Sequence, residues 1–182
     1  MILLTTSRRP TERIRTFCRD LAYSIPDIAR VNRGKMSLDG IGEKAIELDA
    51  EKIIIVDRWQ GGPGKISLFQ ISNGLKPVMP TMLLSNIRLK RELNERTSRI
   101  CASAITVSSN VPSELKEAAQ SLSKFLSLPL LSLGDAVEAH RASLHFSVDS
   151  SHKLNATFML LGQMVEIGPR LTLSRLIWDG SS

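Results

Sequence analysis

The chain has little of what most secreted or catalytic proteins display. Only two cysteines, Cys18 and Cys101, occur among 182 residues. That is too few for a disulfide framework, so both are expected as free thiols in a reducing, intracellular (cytoplasmic) compartment. No apolar run approaches the roughly 18–20 residues that a bilayer span needs, and no charged-apolar-small pattern marks a secretory leader, so no membrane partner is expected. Aromatic residues make up 4% of the chain. Proteins that stack single-stranded bases on exposed rings usually carry more. Any nucleic-acid contact should therefore run through phosphates and shape, with Trp59 and Trp178 packing near strand ends.

Catalytic signatures are missing too. No Gly-x-x-x-x-Gly-Lys-Ser/Thr or Gly-x-Gly-x-x-Gly pattern occurs, and the glycines of 61–64 precede a strand, which fits a hairpin turn rather than a phosphate cradle. There is no Gly-x-Ser-x-Gly elbow and no carboxylate pair in an evident strand-end constellation. His140, His145 and His152 show no helical i,i+4 spacing and have no cysteine nearby, so they are expected on the surface or in hairpins rather than on a metal. Neither metal, cofactor nor enzyme activity is expected.

What remains is apolar pattern and positive charge. Hydrophobic residues make up 42% of the chain, enough for a core, and the net charge is +6. Residues 1–99 carry +7 and residues 100–182 carry −1. A field that one-sided favours a polyanion. It concentrates in the opening stretch. An apolar strand from Ile2 to Thr6 runs into Ser7-Arg8-Arg9-Pro10-Thr11-Glu12, where Pro10 suits a first helical turn and Ser7 or Arg9 would sit near the cap. The helix that follows has Ile14, Phe17, Cys18 and Leu21 on one face, with Arg9, Arg15, Thr16 and Arg19 opposite. Five arginines lie between Arg8 and Arg19 against one carboxylate, Glu12, which i,i+4 pairing cannot neutralise. A short strand over 28–31 then delivers Asn32, Arg33, Gly34 and Lys35. Parallel pairing of the two strands would bring both basic loops to one sheet edge.

Further on, Ser37 caps a predicted helix over 38–49. Lys52–Trp59 is the clearest strand, followed by strands over 65–71 and 82–89, with Pro77 and Pro80 leading into the last. The order is β-α-β-α-β-β-β. A charged connector, Lys90–Arg99, then separates residues 1–99 from residues 100–182. After it the opening recurs. Ala104–Ser109 repeats the first strand, Pro112-Ser113-Glu114 repeats Pro10-Thr11-Glu12, and a helix with Leu115, Ala118, Ala119, Leu122, Phe125 and Leu126 on one side follows. A strand over 128–133 then ends at Gly134. This order predicts an internal duplication, with Thr5 matching Val107 and Pro10 matching Pro112. Strands at 143–148, 156–161 and 170–178 complete the chain, with a tight turn expected at Glu166–Arg170. The fold class is α/β: two similar halves, each a mixed sheet with helices.

Three segments carry a resemblance: Thr5-Thr6-Ser7-Arg8-Arg9-Pro10-Thr11, Arg30-Val31-Asn32-Arg33-Gly34-Lys35, and Glu166-Ile167-Gly168-Pro169-Arg170-Leu171-Thr172-Leu173. Together and in this order they resemble the signatures of Brix-domain proteins, most closely the Imp-type branch of small-subunit ribosome biogenesis in its short archaeal form. The resemblance implies a protein that binds ribosomal or pre-ribosomal RNA in processing and assembly, alongside other assembly proteins. It also implies two halves, each like the anticodon-binding domain of class II aminoacyl-tRNA synthetases. The expected RNA-contacting residues are Ser7, Arg8, Arg9, Arg15, Arg19, Arg33, Lys35 and Arg170, with Arg170 divided between RNA contact and a structural role. The competing expectation is a duplicated α/β interaction module whose basic half docks an acidic protein partner.

Overall fold

In a computed structural model that describes residues 1–59, 62–93 and 99–179, ten strands and four helices alternate along the chain. The first series is β1 (Ile2–Thr6), α1 (Glu12–Ser24), β2 (Ile28–Arg30), α2 (Leu38–Glu47), β3 (Lys52–Trp59), β4 (Gly62–Ile71) and β5 (Leu75–Arg88). A single 3-10 turn at Lys90–Glu92 follows; residues 94–98 of the expected connector lie outside the described residues. The second series is β6 (Ala104–Val107), α3 (Ser113–Leu126), β7 (Leu130–Leu131), α4 (Leu133–Ala139), β8 (Ala142–Val148), β9 (Leu154–Leu160) and β10 (Val165–Ile177). Both series run β-α-β-α-β-β-β.

All ten strands join one mixed sheet in the order β2-β1-β3-β4-β5-β10-β9-β8-β6-β7. β1 lies parallel between β2 and β3, as β6 lies parallel between β7 and β8. The remaining neighbours are antiparallel, and β5 and β10 meet in the middle. The order therefore runs the same way inward from either edge. Backbone bonds fix the correspondence: Ser7 N–H donates to the Val56 carbonyl at 3.0 Å, and Ser108 N–H to the Phe146 carbonyl at 2.9 Å. Ser7 thus matches Ser108, so Thr5 pairs with Thr106 rather than with Val107. The same offset carries Thr11, the N-cap of α1, onto Pro112, the N-cap of α3, so Pro10 matches Val111 rather than Pro112.

Local chemistry sets most boundaries, and corrects several expectations. The Thr11 hydroxyl accepts from Ile14 N–H at 3.3 Å, so Thr11 caps α1 in place of Ser7 or Arg9, and Pro10 precedes the helix. Ser37 caps α2 as its sequence suggests. The strand expected over 128–133 shrinks to two residues, and Gly134 lies inside α4, which Ser132 caps. Seven residues are too few for a helical period to stand out. Pro77 and Pro80 lie within β5, and Pro80 falls where the β4–β5 ladder shifts register, the kind of site where a strand tolerates proline. The turn expected at Glu166–Arg170 is instead a register shift inside β10.

Two apolar clusters sandwich the first half of the sheet. On one face, Ile14, Phe17, Cys18 and Leu21 of α1 and Leu115, Ala119, Leu122 and Phe125 of α3 share a single core with Leu4, Ile54, Val56, Leu144, Phe146 and Phe158. On the other face, α2 covers Leu3, Ile53 and Ile55 with Ile41 and Ala45. Gly168 allows α1 to approach β10: a Cβ there would lie 2.6 Å from Ser24 Oγ and 2.7 Å from Phe158 Cβ. Pro169 beside it is buried. Both residues of this signature thus have a packing role.

Candidate nucleic-acid interface

The parallel pairing of β1 with β2 sends both chains out at one end of the sheet, with Leu4 opposite Arg30. Thr5 Oγ1 donates to the Val31 carbonyl at 2.8 Å and Val31 N–H to the Leu4 carbonyl at 2.9 Å, which hold the two exits together. Gly34, at φ +56°, turns the second loop through a left-handed conformation that favours glycine. Arg33 Nε and Arg8 Nε then converge on the Met36 carbonyl at 3.2 and 3.3 Å, and Arg33 Nη1 reaches the Thr6 carbonyl at 3.4 Å. These loops and the first turns of α1 enclose a cleft of about 390 Å³ walled by Ser7, Arg8, Arg15, Arg30, Asn32 and Arg33, among others. Its walls contain four arginines and no carboxylate. The Ser7 hydroxyl oxygen is buried and has no hydrogen-bond partner among the described residues. Buried polar atoms are nearly always paired, so an orphan beside an arginine-lined cleft is notable. The arrangement suits a phosphate, which arginine forks bind bidentately.

The structure brings together Ser7, Arg8, Arg15 and Arg33 from the expected set. Arg9, Arg19 and Lys35 are exposed but do not wall the cleft. Arg30 and Asn32 do, although the site expectation omitted them; their signal was the Arg30–Lys35 segment itself, read without its register. Arg13 is withdrawn from the basic surface. Its Nη1 meets Glu92 at 2.5 Å and its Nη2 the Ile87 carbonyl at 2.6 Å. That partner raises the Arg13 pKa, and Arg13 holds the Glu92 carboxyl below its ordinary range. Arg170 lies apart from the cleft, on β10, opposite Arg88 of β5. It pairs with Glu166, whose carboxylate is also 4.0 Å from Arg88, so one acid bridges two facing arginines.

The matching exit in the second half is built differently. Ser108 Oγ lies 3.0 Å from His145 Nε2, and Thr106 Oγ1 lies 2.8 Å from His145 Nδ1 and 2.9 Å from Ser143 Oγ. His145 lies in the β8–β9 hairpin but is buried rather than on the surface, and burial holds its pKa down. It faces Thr106 as Ile55 faces Thr5, so Ser108 has an internal partner where Ser7 has none. The intervening loop, 109–111, bears no cation. Among the described residues no three His, Cys, Asp or Glu side chains cluster, and no helix is long and apolar enough to cross a membrane. Cys18 and Cys101 are free; burial pushes the Cys18 thiol up to about 12.

No protein-family model matches the chain. A protein of Methanopyrus kandleri described as a "probable Brix domain-containing ribosomal biogenesis protein" is 28% identical over 173 residues, covering 92% of this chain and 90% of that protein. An Aeropyrum pernix protein of the same description is 34% identical over 90 residues, 49% of this chain and 50% of its own length. A Sulfurisphaera tokodaii relative is matched over 56% of its length, so the match spans about half of the latter two curated relatives. The crystal structure of a "probable ribosomal biogenesis protein" from Aeropyrum pernix superposes with a TM-score of 0.74 at 25% identity, covering 97% of this chain and 98% of the other. The crystal structure of an archaeal Imp4-like protein shares the fold, with a TM-score of 0.63 at 23% identity over 96% of this chain and 97% of that one.

Proposed function

We propose that this chain, which is similar to archaeal proteins described as Brix domain-containing ribosomal biogenesis proteins, acts in ribosome biogenesis by holding ribosomal or precursor RNA through its phosphates. The observation that carries this reading is the cleft at the ends of β1 and β2, with four arginines, no carboxylate among its described walls and a serine hydroxyl that has no partner among the described residues. Arg9, Arg19 and Lys35 extend the positive field beside it. In this reading the protein is a non-enzymatic, cytoplasmic factor of pre-rRNA processing and small-subunit assembly, working with other assembly proteins. Its halves, residues 1–99 and 100–182, descend from one duplicated unit related to synthetase anticodon-binding domains. The repeated strand order and pairing support that origin. Divergence kept the basic surface on one copy, and Arg170 serves the fold through Glu166.

The test is the salt dependence of RNA affinity. With about five phosphates engaged, log affinity falls with log salt at a slope near −3.5 for single strands. The Arg15→Gln/Arg19→Gln double variant, both positions exposed on α1, should flatten the slope by about 1.4 and weaken unrelated RNAs alike. A folded double variant with unchanged affinity and slope refutes the site. Displacement by acidic peptides but not by rRNA fragments would establish the protein-docking module instead.

A further inference from the structure

Two aromatic side chains among the described residues stand out as exposed, Tyr23 and Trp59. Tyr23 lies at the far end of α1 from the basic cleft. Trp59 lies at the near end of the sheet. β3 runs parallel to β1, with Thr6 opposite Val56, and the Val56 carbonyl accepts the Ser7 N–H. Trp59 is the third residue past Val56, hence about 10 Å further along the strand at roughly 3.3 Å per residue. The loop that leaves the cleft at Arg33 passes Lys35 and enters α2 at Leu38, and Leu38 shares a groove of about 220 Å³ with Lys65 and Phe69. Lys65 in turn holds its Nζ 5.5 Å from the centre of the Trp59 ring. A cation thus stands at each end of this path, Lys35 beyond the cleft and Lys65 over the exposed indole, with Asp179 also lining the groove between them.

Trp59 keeps 38% of its surface in water. A cation, Lys65, lies over its ring, and the next residue back, Arg58, is exposed as well. An exposed π-face beside a lysine is a combination that takes a nucleobase. Stacking of this kind tolerates any base, since each has a π-face, and needs the base unpaired.

We propose that Trp59, assisted by Lys65, stacks an unpaired base of the RNA strand whose phosphates occupy the arginine cleft. This rests on the RNA reading above and adds to it: the ligand is single-stranded at this point, and a non-ionic contact accompanies the ionic ones. Lys65 then faces the sugar-phosphate beside the stacked base.

The test uses the full chain in a Trp178→Phe background, so that Trp59 is the only tryptophan. It is titrated with a short single-stranded oligoribonucleotide, its duplex form and the same backbone without bases. The single strand should quench Trp59 fluorescence; the duplex and the abasic strand should not. In the natural sequence, Trp59→Ala should lower single-strand affinity about tenfold with the salt slope unchanged, and Trp59→Phe should recover most of it. Lys65→Gln should reduce the slope by about 0.7. RNA binding with the full slope but without quenching, or with Trp59→Ala at natural affinity, overturns the stacking site and leaves the cleft standing. Equal quenching by duplex and single strand also overturns it. Absence of any RNA binding removes the cleft reading and this one together.

Discussion

Ser7 and Ser108 leave the sheet at corresponding places, each donating its backbone N–H to the adjacent parallel strand, and among the described residues only Ser108 has a partner for its hydroxyl. The difference lies in the neighbouring strand. Leu3, Ile53 and Ile55 form an apolar face that α2 covers; their counterparts by register are Ala104, Ser143 and His145. In the second half that face is held by hydrogen bonds between Thr106, Ser143 and His145 rather than by a greasy contact. The first half keeps its strand exit open and arginine-lined, while the second closes its exit on itself. One wiring thus supports two surfaces, because strand pairing depends on the backbone and binding on the side chains it presents.

The comparison breaks most visibly if the halves are independent bodies. Phe17 of α1 and Phe125 of α3 lie in one apolar cluster, so Phe17→Ala and Phe125→Ala should each destabilise the whole protein by about 3–5 kcal/mol. Urea unfolding followed by circular dichroism and by fluorescence should give coincident single transitions; two separated transitions in either variant would show that the halves fold apart. The serine pair sharpens the comparison at a smaller scale. Ser108→Ala strands a buried ring nitrogen of His145 and should cost about 1–3 kcal/mol. Ser7→Ala removes a hydroxyl that has no partner to lose, and chemical denaturation should find it within about 0.5 kcal/mol of the natural protein. Equal losses at both sites would mean that Ser7 is satisfied after all.

The smallest effect is in pH. Burial holds the His145 imidazole below its ordinary 6.5. As pH falls, the unfolded chain therefore takes up this proton first, and the contribution of His145 to stability is full above pH 6.5 and fades as pH drops through the window below it. His145→Asn should flatten that acid limb when midpoints are measured across pH. An unchanged limb would assign it to other groups.

Much of the fold was legible in the chain. The β-branched run of Lys52–Trp59 marks its strand to the residue, and the Ser37 cap opens α2 where a hydroxyl before an apolar period should. Boundaries failed where local signals were short or ambiguous. The seven residues of α4 show too little period, and Gly168-Pro169 looks like a turn until Ser24 and Phe158 are seen pressing on it. Of the candidate site, Ser7, Arg8, Arg15 and Arg33 could be named from the residues. Arg30 could not, because its place opposite Leu4 is a matter of register.

The sequence by itself determined the order of strands and helices apart from α4, the apolar stripes of α1 and α3, and the concentration of arginine in the first 35 residues. Those features follow from neighbours a few positions apart, which periodicity records. Only the tertiary structure decided which charges are free and which rings are wet. Arg13 meets an acid 79 positions away in the chain, Ser7 lacks the histidine that serves Ser108, and Trp59 stays in water beside Lys65. Partners of that kind are chosen by long-range packing, to which the local pattern of a chain is blind.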